Sequence, residues 1–275
     1  MTRARSLASP ASDHAARQRA LWGRRPRDWA EHAEPANRLL FEAVLDAVDA
    51  GPGLKLLDVG CGSGLAVRMA ADRGCAVAGA DATPELLGIA RERTPDATLV
   101  QAPLEALPFT DAAFDAVIAV NALQFAADPV AAVAEAARVT RGGGTVAATT
   151  FAEPERCEGT VAHLAMKGLR PPDPAEGYAP YALSSPGGLS ELLAAGGLEP
   201  RRAFEVPVIW EHADVETTVL SLLASAGGAL AVQDAGEPAV RRALERALTP
   251  FVGEDGRVRL RNVFRVATAG VPKEA

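Results

Sequence analysis

Short apolar runs alternate with amphipathic stretches along the middle of the chain. The runs fall at residues 54–59, 76–80, 98–101, 114–120 and 144–151, and helical spacing appears at residues 65–73, 84–92 and 129–138. Apolar runs without polar interruption are typical of strands buried on both faces, so repeated strand–helix units predict a mostly parallel sheet with helices on both sides. Right-handed crossovers then give a doubly wound, Rossmann-like α/β fold.

Helical segments precede this pattern, and a less regular region follows it. Helices are predicted at residues 13–33 and 35–50, the second beginning at Pro35. Five prolines lie between residues 153 and 185, which is too long for an ordinary connection. Beyond it the pattern predicts helices at 186–195, 215–226 and 237–248, and strands at 198–208 and 257–267. We therefore expect a flexible tail (1–12), a helical lid (13–50), a core (51–151), a substrate-covering insertion (152–185), and the rest of the sheet with a helical insertion over the acceptor site (186–275).

The strongest local signal lies where the first strand meets the first core helix. Gly60, Gly62 and Gly64 follow the strand. Glycine lets a ligand lie directly against the backbone, and the helix N-terminus beyond it offers free N–H groups. The dinucleotide fingerprint needs glycine where Leu65 stands, so the turn favours a different nucleotide-like ligand. A tight turn without a ligand is the alternative.

Asp81 ends the second predicted strand. A carboxylate at this point can accept hydrogen bonds from both hydroxyls of a ribose. It could instead cap the next helix, a role for which Thr83 competes. The glycine turn about 20 residues upstream favours the ribose interpretation.

With these blocks the chain resembles class I S-adenosylmethionine-dependent methyltransferases, in the broad group that includes small-molecule and quinone-biosynthesis enzymes. The resemblance implies S-adenosylmethionine as the cofactor and S-adenosylhomocysteine as the product. The matching stretches, in chain order, are residues 56–64, Asp81, residues 105–109 with 114–117, and residues 138–144.

The resemblance also implies roles by position. The glycine turn would lie against the methionyl part of the cofactor, Asp58 would organise the turn, and Asp81 would hold the ribose beside the adenine neighbour Ala82. Many relatives have an acid where this chain has Pro103, which leaves the Leu104 backbone N–H for the adenine. The residues predicted to bind the cofactor are Trp29, Asp58, Gly60, Cys61, Gly62, Gly64, Asp81, Ala82, Leu104, Glu105 and Asn121.

Several of these assignments have open alternatives. Glu105 either replaces the missing acid or is an exposed loop residue. Trp22 and Trp29 share a helix face, and Trp29 either closes over the sulfonium by cation–π attraction or anchors the helix to the core. Asn121 lies at a strand end, where it is expected to contact the cofactor.

The substrate side is less defined. Gln124 either faces the acceptor or caps a turn. His163 is the candidate general base, although the sequence requires none, and Tyr178 and Tyr181 are candidate substrate contacts. Each of these residues could equally be structural or solvated.

Charge and cysteine content narrow the class of protein. A net charge of −7 disfavours a general nucleic-acid binder, whose binding face would be basic. Three scattered cysteines indicate neither a metal site nor a disulfide framework, and favour a reducing cytoplasm. No apolar run reaches membrane-spanning length. The basic, serine-containing first dozen residues favour a loose tail over a transit peptide. We expect a monomer or homodimer with a small-molecule partner.

The expected reaction is in-line methyl transfer to an O, N or C nucleophile. A base is needed only for a poorly acidic hydroxyl. The small, apolar segment 224–231 suits an apolar or aromatic acceptor, and suits plain helix packing equally well. The alternatives are an enzyme of the same fold that performs a cyclisation or decarboxylation, and a binding protein without turnover.

Overall fold

A seven-stranded sheet forms the centre of the protein. The structure is a computed structural model that describes residues 10–171 and 179–273. The strand order is β3-β2-β1-β4-β5-β7-β6; β1 to β5 are parallel, and β7 is antiparallel to both neighbours. The strands are β1 (Lys55–Val59), β2 (Ala76–Asp81), β3 (Thr98–Gln101), β4 (Phe114–Val120), β5 (Thr140–Phe151), β6 (Glu199–His212) and β7 (Val258–Gly270).

Helices cover both faces of the sheet and add a lid in front of it. The helices are α1 (Pro10–Trp22), α2 (Pro26–Asp28), α3 (Arg38–Ala47), α4 (Leu65–Asp72), α5 (Pro84–Arg93), α6 (Pro129–Val139), α7 (Thr160–Lys167), α8 (Gly188–Ala195), α9 (Val215–Leu223), α10 (Ala226–Ala235) and α11 (Glu237–Leu248). A π-helical turn (Trp29–Ala33) and short 3-10 turns (Glu34–Asn37, Leu123–Phe125, Pro154–Arg156, Thr249–Phe251) complete the helical structure.

The two faces of the sheet bury separate cores. Leu57 packs on one face with residues of α6 and α8, and its neighbour Leu56 packs on the other with residues of α3 and α4. Consecutive strand residues point to opposite faces, so a strand buried on both sides is apolar at most of its positions. The predicted doubly wound fold is confirmed, and its strand order reverses between β1 and β4, where such sheets bind ligands at the carboxyl edge.

The lid is broken where the sequence predicted one helix over residues 13–33. Helix α1 ends at Trp22, and a Cβ at Gly23 would lie 2.9 Å from Glu85 Oε2, so the chain passes close to α5 there. Pro26 and Pro35 each begin a new short turn because proline lacks the N–H that would continue the preceding helix. The predicted helix over 35–50 begins only at Arg38 and ends at Ala47.

The region after β5 also departs from the prediction. Helix α7 lies inside the segment predicted as an irregular insertion. The helix predicted over 215–226 ends at Leu223, and a helix that was not predicted, α10, begins at Ala226. Ser225 caps α10 through its Oγ, which accepts from Gly228 N at 3.0 Å. Among the described residues no single helix is long and apolar enough to span a membrane; α9 and α10 together pass that test, with a bend of 91° between them.

Candidate cofactor and acceptor site

A cavity of about 240 Å³ lies at the carboxyl edge of the sheet, under the lid. Gly60, Gly62 and Asp81 line it from the switch point of the sheet, and three aromatic side chains line it from β5, β6 and the chain before α8. We call these three, Phe151, Tyr181 and Trp210, the aromatic wall. The cavity therefore joins the predicted cofactor residues to a hydrophobic chamber.

The glycine turn is packed too tightly for side chains. Gly60 and Gly64 have φ of +78° and +80°. A Cβ added at Gly60 would lie 2.6 Å from Ala122 Cβ, and one at Gly64 would lie 2.7 Å from Ala90 Cβ. At Gly62 the added Cβ would point to the lid, 3.6 Å from Trp29 Nε1. The turn thus needs glycine for its conformation and for the close approach of its neighbours.

Asp81 joins the end of β2 to this turn. Its Oδ2 accepts from Gly62 N at 2.9 Å and its Oδ1 accepts from Thr83 N at 2.8 Å. Burial raises the pKa of the carboxyl group. A carboxylate oxygen accepts more than one hydrogen bond, so both oxygens keep capacity for a ligand in the cavity. Thr83, and not Asp81, occupies the N-cap position of α5.

Asp58 is buried and does not line the cavity. Its Oδ1 has no hydrogen-bond partner among the described residues. Burial, followed by the nearby carboxylates of Glu34 and Asp81, raises the pKa of Asp58 well above the ordinary value. Asp58 was predicted to organise the turn; among the described residues, the side chains of Asp81, Glu34 and Arg93 form hydrogen bonds with the turn and the start of α4.

Glu34 is a site residue that sequence reasoning missed. Its side chain is 4% exposed and accepts from Ser63 Oγ at 2.6 Å and from Leu65 N, the first N–H of α4, at 3.3 Å. Arg93 from the end of α5 pairs with Glu34 and donates to Ala30 O at 2.7 Å. The pair ties the lid to the glycine turn and to α5. In the sequence, a glutamate followed by a proline indicates only the start of a helix, so nothing local marked Glu34 as part of the site.

The remaining predicted cofactor residues divide into two groups. Cys61 packs in a core cluster with Val67 and Leu87, and Gly64 serves the contact with Ala90, so neither lines the cavity. The predicted residues that do line it are Trp29, Gly60, Gly62, Asp81, Ala82, Leu104, Glu105 and Asn121.

Glu105 and Asn121 also make internal bonds. Glu105 Oε1 accepts from Ala127 N at 2.6 Å and Asp128 N at 3.2 Å, which ties its loop to the start of α6. Asn121 has φ of +52°, and its Oδ1 accepts from Thr149 Oγ1 at 3.2 Å. Asparagine tolerates this left-handed conformation better than most residues.

The predicted substrate residues are only partly brought together. His163 and Tyr181 line the cavity, with their ring centroids 5.9 Å apart. Gln124 is buried outside the lining, and its amide oxygen and nitrogen have no hydrogen-bond partner among the described residues. Tyr178 lies outside the described residues. Of segment 224–231 only Ser225 lines the cavity, and residues 226–231 are buried in helix packing.

Helix α1 contributes lining residues that were not predicted. His14 Nε2 donates to Phe125 O at 2.8 Å, and Trp22 Nε1 donates to Gln18 Oε1 at 3.3 Å. Trp22 stacks edge-on against Trp29, with centroids 4.9 Å apart. All of these side chains line the cavity, so α1 closes it from above.

Comparison with known proteins agrees with this geometry. Residues 57–148 match the family model described as a methyltransferase domain. A demethylmenaquinone methyltransferase of Renibacterium salmoninarum is 38% identical over 111 residues, which are 40% of this chain and 47% of that protein. A malonyl-[acyl-carrier protein] O-methyltransferase of Serratia marcescens is 38% identical over 120 residues, 44% of this chain and 47% of that protein. The chain thus spans about half the length of the curated relatives it matches.

Solved structures share the fold over more of the chain. A putative methyltransferase from Bacillus halodurans has a TM-score of 0.58 at 17% identity, covering 85% of this chain and 99% of that one. The [4+2]-cyclase SpnF has a TM-score of 0.55 at 22% identity, covering 86% and 80%. At this identity the likeness concerns the fold alone. Residues 57–148 of this chain are therefore similar to a methyltransferase domain, and the curated relatives that match this part of the chain are named as methyltransferases.

Proposed function

We propose that this protein transfers a methyl group from S-adenosylmethionine to a small apolar or aromatic molecule, by in-line transfer to an O, N or C nucleophile. The observation that carries the proposal is the Asp81 carboxylate, which lies in the cavity wall next to Gly62 at the switch point of the sheet. The bound cofactor supplies an activated methyl group on its sulfonium centre. The chain then has to align the two reactants and exclude water.

The charges around the glycine turn fit a cationic cofactor. At this turn Glu34 is buried and Asp81 is half-buried, and of these two carboxylates Arg93 pairs only with Glu34. A sulfonium and an ammonium group would offset this excess of negative charge, whereas a pyrophosphate would add to it. Glu34 also accepts the first N–H of α4, the helix terminus that holds the phosphates in dinucleotide-binding sheets. These contacts favour a nucleoside cofactor without phosphates.

Residues of the lid and the loops would hold the cofactor in place. Asp81 would accept the ribose hydroxyls, with Ala82 and Leu104 beside the adenine. Gly60 and Gly62 would lie against the methionyl part, and the Trp29 indole would cover it from the lid. Each of these residues lines the cavity.

Calorimetry with S-adenosylmethionine and S-adenosylhomocysteine tests the cofactor. We expect both to bind, and we expect Asp81→Asn to weaken binding about tenfold to a hundredfold because it removes charged hydrogen-bond acceptors worth about 1.5–3 kcal/mol. Asp72→Asn is the control, since Asp72 is an exposed carboxylate paired with Arg68 on the far end of α4. Undiminished binding by Asp81→Asn would rule out the ribose contact, and no binding by the parent protein would rule out the cofactor.

Product analysis tests the reaction class. Methyl transfer releases one S-adenosylhomocysteine for each acceptor consumed. Conversion of an acceptor without that release would indicate a cyclisation or decarboxylation, and cofactor binding without turnover of any acceptor would indicate a binding protein.

A further inference from the structure

Several polar side chains that line the cavity form hydrogen bonds within the protein. Trp210 Nε1 donates to Asn37 Oδ1 at 3.0 Å, and Asn37 Nδ2 donates to Ala33 O at 3.3 Å. Ser225 Oγ donates to Leu222 O at 2.7 Å and accepts from Gly228 N. These side chains therefore present little unused hydrogen-bonding capacity to a ligand, and the chamber behaves as an apolar one.

The Tyr181 hydroxyl has a defined direction. Thr160 Oγ1 lies 2.9 Å from Pro154 O and 2.7 Å from Tyr181 Oη. A carbonyl oxygen only accepts, so the Thr160 hydroxyl donates to Pro154 and the Tyr181 hydroxyl must donate to Thr160. Burial raises the pKa of Tyr181 to about 12, so the phenol keeps its proton at neutral pH. Toward the cavity Tyr181 Oη can then only accept a hydrogen bond.

The described side chains that line the cavity include acids but no lysine or arginine. The acids that line it are Asp81 and Glu105, and no lysine or arginine lines it within residues 10–171 and 179–273. A carboxylate or phosphate entering the chamber would lose its hydration without a lysine or arginine to pair with. The chamber therefore selects against anionic acceptors.

The rings of the wall provide an apolar corner, because the Phe151 ring is inclined by 53° to that of Tyr181 and by 83° to that of Trp210. Phe151 lies at its centre, with centroids 5.3 Å from Tyr181 and 5.9 Å from Trp210, and Phe264 supports it from behind at 4.6 Å. Aromatic groups in such positions bind a planar ring by offset or edge contacts.

We infer that the acceptor is an uncharged aromatic hydroxy compound, whose ring lies against Phe151 and Trp210 and whose hydroxyl donates a hydrogen bond to Tyr181 Oη. This inference rests on the proposed function and adds the chemical class of the acceptor and the residue that selects it. Tyr181 acts here as a binding residue.

Three probes of similar shape test the inference on protein saturated with S-adenosylhomocysteine: 2-naphthol, 2-methoxynaphthalene and 2-naphthoate. We expect 2-naphthol to bind about fivefold to tenfold more tightly than the ether, which has no hydrogen to donate. We expect the anionic naphthoate to bind at least tenfold more weakly than 2-naphthol. Equal affinities, tighter naphthoate binding or no naphthol binding would overturn the inference.

Two variants test the direction of the Tyr181 hydroxyl. Tyr181→Phe removes Oη and should abolish the preference for naphthol over the ether, with S-adenosylhomocysteine affinity unchanged. Thr160→Val removes the partner to which Tyr181 donates, so its hydroxyl is free to donate to the ether oxygen, and the preference should shrink or reverse. A merely structural role for Thr160 would weaken both probes alike, and that result or an unchanged preference in Tyr181→Phe would overturn the inference.

The readouts separate this inference from the proposed function. If S-adenosylhomocysteine fails to bind, the cofactor proposal fails, and the probes are then compared on the protein alone. If it binds and the three probes are not distinguished, only the acceptor class is wrong. Thermal unfolding of each variant checks that it is folded.

Discussion

The contact between Glu34 and Arg93 is expected to stabilise the lid more than any exposed ion pair. Glu34 and Arg93 have side-chain exposures of 4% and 24%, and the carboxylate also accepts from Ser63 Oγ. Arg93→Met would leave the Glu34 carboxylate buried without its cation. Glu34→Gln would leave Arg93 with the carbonyls of Ser63 and Ala30, to which it already donates. The first substitution should therefore cost more than the second.

The expected magnitude follows from burial. Removing one partner of a fully buried ion pair costs about 3–5 kcal/mol. Because Arg93 is partly exposed and screened by solvent, we expect a loss below that range, about 2–3 kcal/mol in the free energy of unfolding for Arg93→Met. The double variant replaces the pair by neutral groups, so its loss should be smaller than the sum of the single losses, with a coupling energy of about 1–2 kcal/mol.

Urea unfolding of the parent, the two single variants and the double variant measures this coupling. The pair Arg27–Glu92 provides a matched control because it joins the same lid to the same helix α5 at 64% and 59% exposure. A cycle on that pair should show no coupling beyond experimental error. Additive losses at Glu34 and Arg93, or equal coupling in the two cycles, would refute the assigned role of burial.

Three further outcomes can be measured. Gly64→Ala should lower the free energy of unfolding by about 2–4 kcal/mol, because the left-handed φ disfavours a Cβ and Ala90 blocks one. Gly88→Ala on α5, where an added Cβ meets nothing within 4 Å, should raise it by about 0.5–1 kcal/mol. Equal effects in chemical unfolding would contradict the packing argument. Burial raises the pKa of Asp58, so the folded state holds that proton more tightly than the unfolded state, and stability should fall as pH rises from the ordinary carboxyl range through the raised pKa. Asp58→Asn should remove that part of the pH dependence in urea titrations from pH 4 to 8, and an unchanged profile would show that Asp58 does not titrate there. All three tryptophans line the cavity, so S-adenosylhomocysteine should change the intrinsic fluorescence, and Trp29→Phe should reduce the change more than either other Trp→Phe variant.

The core of the fold was predictable because its strands are buried on both faces. Strand β4, which is mostly buried, has the predicted bounds of 114–120, and helix α11 has the predicted bounds of 237–248. The edge strand β3 also has its predicted bounds, 98–101. Uninterrupted apolar runs identify such strands, and a proline near the start marks α11. The lid was predicted less well: the breaks near Pro26 and Pro35 follow from local residues, whereas at Gly23 the chain also passes close to Glu85 of α5, 62 residues later.

The substrate side of the site was the part that the local sequence pattern predicted least. Helix α7 was missed inside a segment whose prolines indicated irregular structure. Tyr181 was a candidate from its position alone, but the direction of its hydroxyl follows from a bond to Thr160, 21 residues earlier, and from the bond of Thr160 to Pro154. Trp210 and Asn37, which meet in the cavity wall, are 173 residues apart.

The sequence by itself determined the doubly wound core, the glycine turn and the acid at the end of β2, because these depend on short-range periodicity and on conformations that few residues can adopt. Only the tertiary structure decided which buried charges meet at the turn, as Glu34 and Arg93 do, and which way the polar groups of the acceptor chamber point. Those features arise from contacts between segments that are far apart in the chain. In its own segment, each of the contacting residues looks like an ordinary helix or loop residue. The residue pattern therefore predicted the cofactor end of the site, whereas the acceptor end depends on how distant segments pack together.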